Sequence, residues 1–292
     1  MGKLRGVWQK SCIFAPRISI VQANKTMKKL SILAAVFAAI VFTGCGNKTA
    51  QNAESVDSTK SFEQSQIEAN IKMQIDSIAV EFSKIGQPPF FKTTPEGIQI
   101  SEEAKLVKPD YLLEASVADE AGTLAEKYRV MTALCIDKKI AELYEMPTED
   151  YDKAIGMLAA DINDPSFKAI EAVGSIFDTT SALYQEMEKN GRINYFWQIA
   201  AASLVEQLFV ISQTQEQFLS PFTDETAANV TMRLGMILDA VNRLAEYDPD
   251  IEPVAQALAP LDGLNANTVA EMDKQMTNLK DKIDAARKAL IK

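Results

Sequence analysis

The 292-residue chain contains no histidine. Ser-His and Cys-His nucleophile pairs, His-dependent zinc sites and the Glu-x-x-His motifs of di-iron bundles are therefore excluded. Ser-x-x-Lys, Gly-x-Ser-x-Gly and phosphate-loop patterns are absent as well. What remains for chemistry is three cysteines and 40 carboxylates. Cys135 has no base nearby in sequence and falls at a core spacing, so it reads as a buried structural thiol. Asp248, Asp250 and Glu252 alternate like the start of a calcium loop, but Pro253 stands where that loop needs Gly. Helix capping is the reading for this trio and for Glu149, Asp150 and Asp152. Glycoside hydrolysis needs only two carboxylates, so a carboxylate-dependent envelope hydrolase acting, for example, on glycans stands as the alternative function. No catalytic residue, metal ligand or cofactor is assigned.

Cys45 belongs to a different chemistry. Met27, Lys28 and Lys29 precede an apolar run from Leu30 to Phe42, closed by Thr43, Gly44 and Cys45. Thirteen residues make a helix of about 20 Å, too short for a hydrocarbon core of roughly 30 Å. Cationic start, short apolar core and small closing residues match an export signal with a cleavage site. Phe42-Thr43-Gly44-Cys45 resembles the lipobox of bacterial lipoproteins, over residues 27–45 only. The resemblance implies cleavage before Cys45, diacylglycerol on its thiol and usually an acyl chain on its amine. More than one chain is what durable anchoring requires.

The expected organisation follows. Residues 1–26 carry five Lys/Arg and no acid, and read as translation from an upstream, non-native start. Residues 27–44 are the signal, 45–60 the lipidated Cys with a flexible polar tether, and 61–292 one helical domain. The tether reaches on the order of 20 Å. Gly46 after the lipid-bearing Cys resembles lipoproteins passed to the outer membrane, facing the periplasm; surface exposure is the alternative. Within the tether, Asp57-Ser58-Thr59 resembles the O-glycosylation pattern of exported proteins in some Gram-negative lineages, which makes Ser58 a modification candidate. Asp76-Ser77-Ile78 and Asp178-Thr179-Thr180 match it too.

All seven Lys/Arg before Cys45 leave with the signal, so the mature chain keeps 23 basic against 40 acidic side chains. That surplus repels nucleic acid and anionic headgroups. Attachment to a membrane must then come from lipid on Cys45. Cys135 is the only cysteine in the mature domain, so no disulfide forms there.

The elements that carry these residues are helical. Ile67, Ile71, Ile75, Ile78, Phe82 and Ile85 recur at steps of three and four, as do Val230, Leu234, Ile237, Val241 and Leu244. A third stripe runs through Val269, Met272, Met276, Leu279, Ile283, Ala286 and Leu290. A helix is expected from Asp110 towards Glu145, with Leu124, Tyr128, Met131 and Cys135 inward and Gly122 as a potential break. Asp164-Pro165 predicts a helix start, and Asn190-Gly191 a helix stop. The helix over Asn194–Leu219 is apolar on most sides and reads as central, with Tyr195, Phe196 and Trp197 in the core. Only Glu96–Ser101 suggests an extended piece. The fold class is all-α: an antiparallel helical bundle or array of about seven to eight helices. The segments beginning at Ala141 and Asn242 share a layout of caps and short helices; ordinary capping is the reading, and an internal duplication, implying a pseudo-two-fold bundle, is the alternative.

Phe90 and Phe91, in a Pro-stiffened loop, either plug the bundle or contact a partner. The expected function is a lipid-anchored envelope lipoprotein with a non-catalytic binding or scaffold domain. Its ligand would be a protein, peptide or small molecule.

Overall fold

Short polar side chains mark where some of the helices begin. Thr123 Oγ1 accepts from Glu126 N at 3.1 Å while Glu126 Oε2 accepts from Thr123 N at 2.7 Å, a reciprocal capping box. Thr223 Oγ1 accepts likewise from Thr226 N at 3.2 Å, and Asp164 Oδ1 accepts from Ser166 N at 2.8 Å, as Asp164-Pro165 predicts. Gly191 ends the helix before it at φ 67°, a left-handed conformation that favours Gly.

The computed structural model describes residues 62–85, 97–167 and 180–291. Lys60–Lys292 forms one unit by its internal contacts, distinct from Met1–Thr59. Among the described residues there is no strand, and eight helices have seven residues or more. They are α1 (Phe62–Lys84), α2 (Leu124–Leu143), α3 (Glu149–Ile162), α4 (Thr180–Lys189), α5 (Ile193–Gln213), α6 (Asp224–Ala245), α7 (Glu252–Leu258) and α8 (Val269–Ile291). The all-α expectation holds. Of Glu96–Ser101, read as extended, the described part from Gly97 onward belongs to no sheet among the described residues.

α5 is the axis of the body, packing most extensively against α2 and α8 and also meeting α4, α6 and α7. It is apolar enough to span a membrane by composition, yet 89% of its most apolar stretch is buried in protein, which makes it a core helix. Around its start, Phe82, Tyr184, Phe196 and Trp197 meet edge-on at centroid distances of 5.0–6.5 Å, a geometry that adds to simple area burial. Tyr195 instead stacks on Tyr128 at 4.7 Å.

The α8 stripe is buried from Met272 to Leu290, and Val230, Leu234, Ile237 and Val241 of α6 are buried too. On α1 the stripe is inward from Ile71 onward, whereas Ile67 is 46% exposed. The long helix expected from Asp110 does not form. Helix α2 begins at Leu124, where the capping box stops it, and Ala115–Glu120 is a 3-10 turn. Tyr111–Glu114 precedes that turn without helical backbone. In place of that helix, an irregular segment packs against α2 and α3.

Candidate functional site

Segment 109–119 lies across α2 and α3 and divides two groups of carboxylates. Beneath it, Arg287 of α8 holds Asp137 of α2 and Glu206 of α5. Arg287 Nε donates to Glu206 Oε2 at 2.9 Å and Nη2 to Asp137 Oδ2 at 3.2 Å, while Nη2 lies 2.7 Å from Glu206 Oε1. The guanidinium also sits 3.8 Å from the Phe209 ring centroid. Both carboxylates are sealed, at 0% and 1% side-chain exposure. One cation facing two buried anions leaves an uncompensated charge. Burial first, and then the Glu206 carboxylate, push the Asp137 carboxyl well above the usual carboxylate range, although Arg287 opposes this. Asp137 Oδ1 has no hydrogen-bond partner and Glu206 Oε1 accepts no well-aligned bond. A proton retained on Asp137 would relieve the repulsion between the two carboxylates.

This cluster also fixes the segment above it. Leu113 N donates to Asp137 Oδ2 at 2.7 Å, Arg287 Nη1 to Tyr111 O at 3.2 Å, and Tyr151 Oη to Leu113 O at 2.7 Å. The hydroxyls of Tyr111 and Thr214 are 3.2 Å apart. Three backbone groups left without helical partners, Tyr111 O, Leu113 N and Leu113 O, are thereby satisfied by side chains.

Above the segment, a solvent-open groove of about 700 Å³ runs between residues 109–119 and 146–157. Leu112, Leu113, Met146, Ala154 and Met157 give it an apolar surface. Its charged lining is Asp110, Glu114, Asp119, Asp150 and Lys153. Lys153 already pairs with Asp150 at 3.0 Å. Asp110, Glu114 and Asp119 are exposed and make no ion pair or side-chain hydrogen bond among the described residues. Tyr151 stands between groove and cluster. Burial pushes its hydroxyl up to about 12, with Asp137, Glu206 and Glu114 adding to the rise and Arg287 opposing it.

The sequence-level candidates fall elsewhere. Cys45, Ser58, Phe90 and Phe91 lie outside the described residues. Ser77, in the second glycosylation-like match, is on α1, and Asp76 beside it accepts from Tyr184 Oη at 2.5 Å. Asp178 and Thr179 of the third match lie outside the described residues. Cys135 is free and half-buried rather than fully buried, packed against the core, and burial pushes its thiol up to about 12. Asp248 acts locally: its Oδ1 accepts from Asp250 N at 2.9 Å and its Oδ2 from Asn194 Nδ2 at 2.5 Å. Asp152 pairs with Lys138. Among the described residues, no three Cys, Asp or Glu side chains converge on a point that a metal ion could occupy.

Two further polar sites are internal. Tyr128 donates to Asp164, and Arg192 Nη1 to Tyr128 Oη at 2.8 Å. Arg233, 5% exposed, lies 4.4 Å from the Phe82 ring centroid, and desolvation lowers its guanidinium to about 10.

Sequence reasoning missed the Arg287 cluster, though its signal was present. Glu206 is the lone charge in Tyr195–Ile211, and Arg287 lies four residues after Ile283 and three before Leu290, on the apolar stripe. A charge on a buried face requires a partner. No family model, curated protein or solved structure matches the chain.

Proposed function

We propose that the protein is a lipid-anchored lipoprotein of the bacterial envelope, held by Cys45 at the outer membrane and facing the periplasm, whose helical body acts by binding. The observation that carries the binding role is the groove between residues 109–119 and 146–157: a solvent-open volume of about 700 Å³ with an apolar surface and with Asp110, Glu114 and Asp119 left without cations among the described residues. Sites that hold ligands combine concavity, apolar lining and a few unsatisfied polar groups in this way. Hydrolysis by paired carboxylates would need a proton-holding carboxyl facing the substrate. Asp137, whose carboxyl is pushed up, is instead sealed beneath the groove at 0% exposure.

Anchoring is supported by the order of Lys28, Lys29, the apolar run and Thr43-Gly44-Cys45. Intact mass of membrane-extracted protein should show a chain beginning at acylated Cys45, and Cys45→Ser should remove the acyl mass. An unmodified terminus upstream of Cys45 contradicts the anchor. For the binding role, a photo-crosslinking amino acid at Met157, which is 42% exposed in the groove, should form a discrete adduct in living cells. The same probe at exposed Asp239 of α6 should not. Equal yields at the two positions contradict a role for the groove.

A further inference from the structure

Resting on the reading of the groove as a binding site, we infer that its ligand is a cationic amphipathic peptide segment in extended form, with basic side chains against the acidic rim and apolar ones against the floor. The rim sets the sign of charge. Asp110, Glu114 and Asp119 face the groove without a counter-ion among the described residues, and the sole lining cation, Lys153, is engaged by Asp150. An anionic ligand would meet like charge there, whereas a basic one supplies what is missing.

The distribution of those carboxylates sets the shape. They are strung along an irregular stretch that bends at Asp110 and Leu112 and then a 3-10 turn, Ala115–Glu120, four and five residues apart, so successive ones stand on the order of 10 Å apart along the chain. No three acidic or thiol side chains converge on one point among the described residues, so the wall is not built around a compact ion. A line of separated charges fits a line of separated cations, and in an extended peptide the side chains on one edge recur about every 7 Å.

The floor sets the remaining chemistry. Leu112, Leu113, Ala154, Met146 and Met157 are apolar, and Met157 is 42% exposed, so a purely polar polycation would leave this surface wet. Two methionines with flexible, polarisable side chains can adapt to apolar residues of differing shape. Beneath the floor, Asp137 and Glu206 share a single arginine, so the sealed cluster does not oppose the negative sign of the rim.

The test uses the full chain solubilised in a neutral detergent and titrated calorimetrically with acetylated alternating Lys-Leu, Glu-Leu and Lys-Ser decapeptides. The Lys-Leu peptide should bind about tenfold or more tighter than either counterpart, and more weakly as salt is raised. Asp110→Asn with Glu114→Gln and Asp119→Asn should weaken it about tenfold, the summed effect of three exposed charge pairs. Equal or better binding of the Glu-Leu peptide, indifference to the triple substitution, or no binding of the Lys-Leu peptide each overturns the inference. These failures differ from failure of the binding reading itself. A discrete adduct at Met157 with no Lys-Leu affinity leaves a groove of another specificity, whereas equal crosslinking at Met157 and Asp239 removes the site.

Discussion

Two sets of carboxylates lie on opposite sides of one backbone segment, and they differ in everything except their chemistry. Leu113 lines the groove with its neighbours and donates its backbone N–H to Asp137 below. Underneath, Asp137 and Glu206 are sealed, held by Arg287 and bonded to the segment they support. Above, Asp110, Glu114 and Asp119 face solvent with no counter-ion among the described residues. Water screens and solvates the upper set, so leaving it unpaired costs little. In the lower set every ionic oxygen requires a partner or a proton. The difference teaches that a carboxylate's role in this protein follows from its burial: below, it holds the architecture; above, it is free for a ligand.

The most severe way to break that contrast is Arg287→Leu. Two buried carboxylates would lose their common cation, Tyr111 O would lose a donor, and stability should fall by about 3–5 kcal/mol in urea unfolding. A loss below about 1 kcal/mol would mean the cluster is wetter than its burial implies.

Asp137→Asn sharpens the same comparison. Asparagine can still accept from Leu113 N and is neutral, as a protonated Asp137 is. Because the folded-state pKa of Asp137 is raised, the folded chain binds the extra proton, and stability must fall as pH rises from the unfolded value near 4 through the folded one. The slope in that window is at most about 1.4 kcal/mol per pH unit. The Asn variant should lack this component, so its stability relative to the parent should increase from pH 4 towards pH 8. A constant difference over that range would show that Asp137 does not carry the proton.

The smallest expected effect belongs to the groove. Combined Asp110→Asn, Glu114→Gln and Asp119→Asn removes exposed charges that make no side-chain hydrogen bond or ion pair among the described residues, so the unfolding free energy should change by no more than about 0.5 kcal/mol. A larger loss would show that these side chains support segment 109–119 as Asp137 does.

How much of this was legible depends on whether one helix or several define the feature. The α8 stripe from Met272 to Leu290 could be read directly, because a 3.6-residue period reports burial within one element. The same rule overreached at Ile67, since periodicity marks a face without showing how far its partner extends along it. It also overreached before Leu124. There Gly122 and the Thr123–Glu126 box stop the helix, and Tyr111–Leu113 is held by side chains up to 176 residues away in sequence. Glu206 was a legible anomaly, a charge alone among apolar residues, but its partners Asp137 and Arg287 come from two other helices. The groove had no sequence signature, because its acidic wall and its methionine floor are assembled from separate segments. The lipid anchor stands at the other extreme. Thr43-Gly44-Cys45 is read by its linear order alone, so its expectation rests on the sequence.

Peptide-induced thermal stabilisation of the full chain is the measurement that bears most directly on the contrast between the two regions. A ligand at about 100 times its dissociation constant stabilises the folded state by about 2.7 kcal/mol, which raises the midpoint by several degrees in a domain of this size. The Lys-Leu decapeptide should produce that rise in the parent and in Asp137→Asn, and only about half of it after Asp110→Asn, Glu114→Gln and Asp119→Asn, as a tenfold loss of affinity requires. An equal rise in the parent and the triple variant would contradict the account, because the free carboxylates above segment 109–119 would then have no part in binding.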